Sequence, residues 1–253
     1  MITPKQILKI KNLTAATPLG PLGATAPVNL TLHSGEVGIF LNDRECRKLF
    51  RTIIGQGKLL TGNIDFLDNN SRNITANDKD AGFLLKNVGF GFRDLGLISN
   101  RTILENVDLP ARYHNYYKKG SSDSHLAKAA LTELGVPRKY WDKRPPHVAI
   151  SIRKRALLAR AIVLRPPLLL LDEPTALVES PMLPELLSWI DSLKDKGFAI
   201  LIACTDYPFA GAAADWVVDP DSNKITTSEE YMDPAWTKSG ALLKDLSNRL
   251  VMR

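Results

Sequence analysis

Two adjacent carboxylates, Asp172 and Glu173, follow four consecutive leucines, Leu168 to Leu171, in a chain of 253 residues. A short run that is apolar at every position, with prolines at 166, 167 and 174, reads as a strand buried on both faces. Acids at the carboxyl end of a central parallel strand stand where open α/β sheets bind their ligands. Held there, Asp172 could bind Mg²⁺ beside a phosphate, and Glu173 could polarise an attacking water. The same residues also fit a buried strand that ends in a charged loop.

The stretches on either side carry more. RKRALLARAIVLRPPLLLLDEPTA, from Arg153 to Ala176, resembles the nucleotide-binding subunits of ABC transporters. VGFGFRDLGLISNRTILENVDLPARYH, from Val88 to His114, is a second match, and ENVDLPARYH within it is similar to the ATPases of phospholipid-transport systems of the MCE or Mla type. The resemblance spans roughly residues 5 to 230, with the motifs in the family's order. It implies an α/β fold, a P-loop-NTPase-like ABC ATPase domain with a mainly parallel core sheet, an antiparallel β subdomain and a helical insert. The expected division is a single domain over residues 1–230, its insert near 101–160, with an amphipathic C-terminal helix or tail over 231–253. The resemblance further implies a second ABC ATPase subunit, paired head to tail so that each ATP lies between one chain's phosphate loop and the other's signature. It also implies a transmembrane permease subunit, docked through the hydrophobic joint that is here Leu95 to Val107.

Most of the family's ATP-handling residues differ in this chain. The family's phosphate loop, G-x-x-x-x-G-K-[ST], wraps phosphates in backbone N–H groups that its glycines leave accessible. Here the stretch reads Asn42-Asp43-Arg44-Glu45-Cys46-Arg47-Lys48, about two residues short by motif spacing, without a glycine and with Asp43 and Glu45 adding negative charge. Lys48 or Arg47 stands nearest to the missing lysine. Gly55-Gln56-Gly57-Lys58 does not replace the loop, because Thr52 falls at its first glycine and Leu59 at its hydroxyl position. Gly57-Lys58 is expected in a turn instead. No aromatic residue precedes Phe40, so the adenine platform is missing. Arg93 takes the place of the glutamine that senses metal and water, and a guanidinium neither coordinates a cation nor accepts a hydrogen bond. The LSGGQ signature becomes Val148-Ala149-Ile150-Ser151-Ile152, whose branched side chains block the amides; Ser151 is expected to cap the helix that follows. Thr205 stands where the family carries a histidine for the γ-phosphate, and Glu179 is the nearest substitute for the aspartate beyond the strand. Asp172 is then a remnant metal ligand and Glu173 a remnant catalytic residue, while Lys48, Arg93, Ser151 and Thr205 are degenerate cofactor positions. No cofactor is expected to bind tightly; ATP and Mg²⁺ bind only if the chain is a working ATPase with an unusual loop.

Composition agrees with a partner-dependent membrane role. The 33 Lys+Arg against 27 Asp+Glu give a formal charge of +6, spread along the chain, with Arg153-Lys154-Arg155 the densest cluster. Scattered basic charge suits a solvated surface at the cytoplasmic face of a membrane better than a nucleic-acid stripe. Only Cys46 and Cys204 occur, without metal-ligand neighbours, which suits a reducing compartment. No stretch approaches transmembrane length, so the expected place is cytoplasmic, peripheral on the inner face through partners.

The elements that must position these residues follow from periodicity. Leu8 to Leu13 and Val28 to Leu32 alternate as half-buried strands around a Pro/Gly-punctuated loop, TAATPLGPLGATAP. Val37 to Leu41 and Ala199 to Ala203 read as buried strands and Ile64 to Leu67 as a further strand, with a polar surface loop over Asp68 to Asp80. Helices are expected over Leu49 to Gly55, around Ala127 to Leu134, from Leu183 to Gly197, and around Leu242 to Leu250, the last packing on its own domain. The leading expectation is a pseudo-ATPase, a structural or regulatory subunit of a membrane transporter complex. The alternatives are an active ATP-hydrolysing subunit and a soluble ABC-type nucleic-acid or ribosome factor. The last is disfavoured because the chain has no tandem second domain, coiled insert or basic tail.

Overall fold

The computed structural model describes residues 5–17, 20–22, 27–41, 43–56, 58–67, 73–75, 86–91, 93, 96–117, 123–176, 178, 180–218, 225–227 and 234–251. The strands are β1 (Gln6–Thr17), β2 (Gly20–Leu22), β3 (Val28–His33), β4 (Val37–Phe40), β5 (Lys58–Leu67), β6 (Asn73–Thr75), β7 (Val88–Gly91), β8 (Leu168–Asp172), β9 (Ala199–Ala203), β10 (Trp216–Val218) and β11 (Ile225–Thr227). The helices are α1 (Asp43–Ile53), α2 (Ile103–Tyr113), α3 (His125–Glu133), α4 (Ile150–Ile162), α5 (Leu183–Asp195), α6 (Tyr207–Ala213) and α7 (Pro234–Val251).

Two sheets result. In the antiparallel one, β1 is flanked by β3 and β5, so that Leu30, Ile10 and Ile64 lie side by side across three strands, as do Leu32, Leu8 and Phe66. All six are buried, which pins the register, because a one-residue slip would turn the set to solvent. The second sheet runs β11–β10–β4–β9–β8–β7, with β11 antiparallel and the rest parallel. Alternation along β8 divides the interior in two. Leu169 and Leu171 join a core with residues of α2 to α6, whereas Leu168 and Leu170 face the core that α1 shares with the antiparallel sheet. At about 2 kcal/mol for each fully buried leucine, these four side chains anchor both layers to one strand. The α/β fold with a mainly parallel core sheet and an antiparallel β subdomain is as expected.

Several local expectations are overturned. The supposed loop from Asn42 to Lys48 is helical from Asp43 onward, because Cys46, Leu49, Phe50 and Ile53 form an apolar helical stripe that buries against the sheet. Thr14 to Thr17 continue β1 and Gly20 to Leu22 pair with them, where a loop was expected. Lys58 begins β5 rather than closing a turn, since it pairs with Ala16. Within the polar stretch Asp68 to Asp80, Asn73–Thr75 adds a strand to β5. Lys118 to Ser122, Leu95 and Glu179 lie outside the described residues.

The terminal helix packs on its own chain. α7 lies on α5 and α6, with Lys244 Nζ 2.8 Å from both carboxylate oxygens of Asp191. The approach to α6 is close: a side chain at Gly240 would meet the Pro208 carbonyl oxygen at 2.8 Å. Leu242, Leu246 and Leu250 remain exposed on the outer face.

Gly38 in β4 lies under the indole of Trp216 in the neighbouring β10, where an added Cβ would come within 2.1 Å of the ring. The ring is buried in the core that α1 shares with the antiparallel sheet, so moving it aside would disturb that packing. Gly38→Ala is therefore expected to cost about 2–3 kcal/mol in urea unfolding and to shift the tryptophan emission; an unaltered midpoint would contradict this packing.

Candidate functional site

The carboxyl edge of the parallel sheet is where the predicted site residues converge. β8 ends in Asp172, paired with Ala203 at the end of β9, and β9 in turn pairs with β4 through Phe40 and Ala203. Asp172 is 6 % exposed. The Arg47 Nε, from the second turn of α1, donates to Asp172 Oδ1 at 3.2 Å. The Asp172 carboxylate also receives the Arg93 backbone N–H and lies in the field of its guanidinium. Burial still outweighs both arginines and holds the Asp172 carboxyl above its ordinary range.

Glu173 is not at an exposed strand end. It is 3 % exposed and takes a left-handed backbone, φ 49°, a conformation that carries strain for a residue with a Cβ. Its N–H donates to the Ala203 carbonyl at 2.8 Å, and its own carbonyl accepts from the Lys154 Nζ at 3.1 Å. Lys154, itself 3 % exposed, thus ties α4 to the end of β8. The chain enters this kink because Leu168–Asp172 must stay in the ladder while Pro174 and the turn to Ala176 lead away from it.

The remaining positions divide. Thr205 is exposed just beyond β9, on the same edge as Asp172. Its neighbour Cys204 is buried with Sγ 3.7 Å from Thr175 Oγ1, and burial pushes the thiol up to about 12, so it is no nucleophile. Arg93 sits exposed in a bend. The side chain of Lys48 lies outside the described residues. Ser151 is not a cap: Ala149 is the N-cap of α4 and makes no side-chain bond, while Ser151, in the first turn, lines a cavity of about 440 Å³ with Lys154, Arg155 and Trp189. Asp172 and Glu173 do not border that cavity.

The hydrophobic joint is held from inside. Thr102 and Glu105 form a capping box at the start of α2, with Glu105 N to Thr102 Oγ1 at 3.1 Å and Thr102 N to Glu105 Oε2 at 2.7 Å. Asn106, fully buried, accepts from Ile98 N at 2.7 Å and donates to the carbonyls of Ile98, Arg101 and Thr102. Leu97 packs half-buried against the chain's own core, while Ile98 is 42 % exposed. Beside this region β7, α2 and α4 border a cleft of about 430 Å³ whose lining includes Phe90, Leu109, Tyr113 and Leu164. Arg160 on its wall donates to the Gly96 carbonyl at 2.9 Å. Sequence reasoning missed Asn106, Lys154 and Arg160. A lone asparagine or lysine on an otherwise apolar helical face was the available signal.

The position of Asp172 has a measurable pH signature. Its folded pKa lies above that of an unfolded aspartate, so its contribution to stability is fully present below the unfolded value and is lost as pH rises through the folded one. Asp172→Asn abolishes this loss, and the variant is expected to gain on the parent in urea unfolding between pH 4 and pH 7. A variant that instead falls behind the parent over that interval would mean that attraction to Arg47 dominates.

Known proteins share this architecture and part of the sequence. The family model described as ABC transporter matches residues 46–176, just over half of the chain. The glutamine transport ATP-binding protein GlnQ of Geobacillus stearothermophilus is 27% identical over 208 residues, 78% of this chain and 81% of that protein. The cell division ATP-binding protein FtsE of Haemophilus influenzae is 30% identical over 191 residues, 73% of this chain and 85% of its own length. Among solved structures, cbiO1 from Clostridium perfringens, part of the complex cbiONQ, superposes with a TM-score of 0.73 at 21% identity, covering 98% of this chain and 97% of that one. With the sheet order and the Asp172 edge as described, the chain belongs to the ABC transporter family.

Proposed function

We propose that this chain is a pseudo-ATPase, a subunit that supports or regulates a membrane transporter complex without hydrolysing ATP. The observation that carries the reading is the course of α1: helix begins at Asp43, three residues after β4 ends, and its Arg47 lies on Asp172. A phosphate cradle needs consecutive outward-facing amides at this point, and a continuous helix turns them into its own ladder beyond the first turn. Mg²⁺ on Asp172 would compete with a guanidinium for the same oxygen, so the donors present do not fit the ion. The family match itself begins only at Cys46. On this reading Asp172 and Glu173 are structural remnants, and Lys48, Arg93, Ser151 and Thr205 no longer handle nucleotide.

The rest of the assignment follows the family. Residues 1–230 form one domain with a helical insert near 101–160, and the helix beyond residue 231 braces it. A second ABC ATPase subunit and a transmembrane permease are the partners, which places the chain peripherally on the cytoplasmic face of a membrane. The joint from Leu95 to Val107 is the permease contact, with Ile98 exposed on it and Leu97 half-buried against the core. Phospholipid as the cargo rests on the ENVDLPARYH segment alone. The alternative, an active ATPase that uses ATP and Mg²⁺, is favoured by relatives described as ATP-binding proteins.

Titration calorimetry separates the two. The chain is expected to show no saturable Mg²⁺-ATP binding tighter than about 1 mM, or −4.1 kcal/mol. In the assembled complex, Glu173→Gln should leave the ATPase rate within about twofold, or about 0.4 kcal/mol of barrier. Submillimolar binding, or loss of turnover in a variant that still melts as the parent does, would establish the active enzyme instead.

A further inference from the structure

The cavity of about 440 Å³ bordered by α4 and α5 joins two features that the packing of the fold does not require. The first is its charge. Leu158, Met182, Leu186 and Trp189 give it apolar walls, yet ionised groups stand among them. Arg155 answers Glu185, and the carbonyls of Leu134 and Gly135 hold its guanidinium in place. Glu133 is shared by Arg165 and Lys196, so among the described residues this lining has a cation in excess before Lys154 is counted. Lys154, 3 % exposed, donates to a neutral acceptor, the Glu173 carbonyl. Partly desolvated positive charge of this kind favours an anion, because charges interact more strongly away from bulk water.

The second feature leads away from the cavity. Leu250 of α7 lines it, and Leu246 and Leu242 recede from there at intervals of four residues, so the three lie along one side of the helix. They are 41 %, 42 % and 62 % exposed. Among the described residues of α7 only Gly240 and Ser247 are buried, with Leu243 half-buried, so the helix turns more apolar surface outward than toward its seat. From Leu250 to Leu242 the stripe runs about 12 Å at the helical rise.

We infer that cavity and stripe form one site for a long-chain anionic amphiphile of the fatty-carboxylate type. Its head group lies in the cavity beside Lys154 and Arg155, and its chain leaves past Leu250 along Leu246 and Leu242. A small hydrophilic anion would leave the leucines uncovered, and a neutral or cationic amphiphile would leave the excess charge unanswered. The site is separate from the carboxyl edge of the sheet, since Asp172 and Glu173 do not border the cavity. The inference therefore stands apart from the pseudo-ATPase reading. Once filled, the site joins α7 to α4 and α5 through the ligand.

The test uses the whole chain and cis-parinarate, a long-chain polyene carboxylate whose fluorescence rises in apolar surroundings. Saturable binding is expected, with dodecanoate displacing the probe at least about tenfold better than dodecyltrimethylammonium, or about 1.4 kcal/mol. Leu246→Ser, on the outer face of α7, should weaken dodecanoate about threefold and leave octanoate, too short to reach the stripe, unchanged. Ser188→Trp, which fills the cavity, should abolish binding of both. If Ser188→Trp does not fold, the comparison of head groups and the chain-length effect of Leu246→Ser decide. Absence of saturable binding overturns the site. So does equal displacement by the cationic amphiphile, or binding that neither substitution changes.

Discussion

Two hydrophobic cores share one sheet, and neither can close until Leu168–Asp172 is hydrogen-bonded on both edges. A strand apolar on both faces has no stable exposed state, so its position inside the sheet, between β9 and β7, is dictated before any helix docks. The helices of one layer and the antiparallel sheet of the other then have a common floor. The chemistry-bearing edge inherits its geometry from the same ladder: Asp172 ends the strand because Ala203 holds it there, and Glu173 must turn through a left-handed conformation to leave.

What stands opposite that edge decides its use. A metal ion and a guanidinium can both neutralise an aspartate, but they differ in consequence. A metal brings open coordination positions and arrives with its phosphates. A guanidinium is tethered, offers only donors and has no vacant position for a nucleophile or a leaving group. Arg47 on α1 makes such a contact with Asp172 and links α1 to the end of β8. Lys154 does the same for α4 through the Glu173 carbonyl. The edge is linked to both neighbouring helices by side chains of the chain itself.

Much of this was legible in the residue order. The leucine run, the buried β9 and the helix ending at Gly197 announce themselves by burial pattern and punctuation, and the extended motif around Asp172 carried the fold. The start of α1 was misread by aligning it to a loop, although Cys46, Leu49, Phe50 and Ile53 already show a helical stripe and no glycine interrupts it. The contact of Arg47 with Asp172 spans 125 positions and has no local signature. A charged loop after the strand does not announce the burial of Glu173, which follows from α4 reaching over the strand end through Lys154, a contact that no local window of sequence contains. Asn106 looked like an ordinary helix residue, and only the folded loop shows that four of its hydrogen bonds organise residues 98–102.

The strand order has a consequence for how the protein is made. β4 is synthesised well before its neighbours on the two sides, β9 and β10. Roughly 160 residues of chain separate it from the nearer of them. Until that far portion leaves the ribosome, Val37 to Phe40 have no partner strand, and the apolar stripe of α1 can pack only on the antiparallel layer. The antiparallel layer, by contrast, pairs segments that are close in sequence and can form early. Birth of this molecule therefore proceeds from a small antiparallel sheet built on β1 that waits, partly uncovered, for the parallel sheet to assemble beside it. A nascent chain in that condition is a natural client for a holding chaperone.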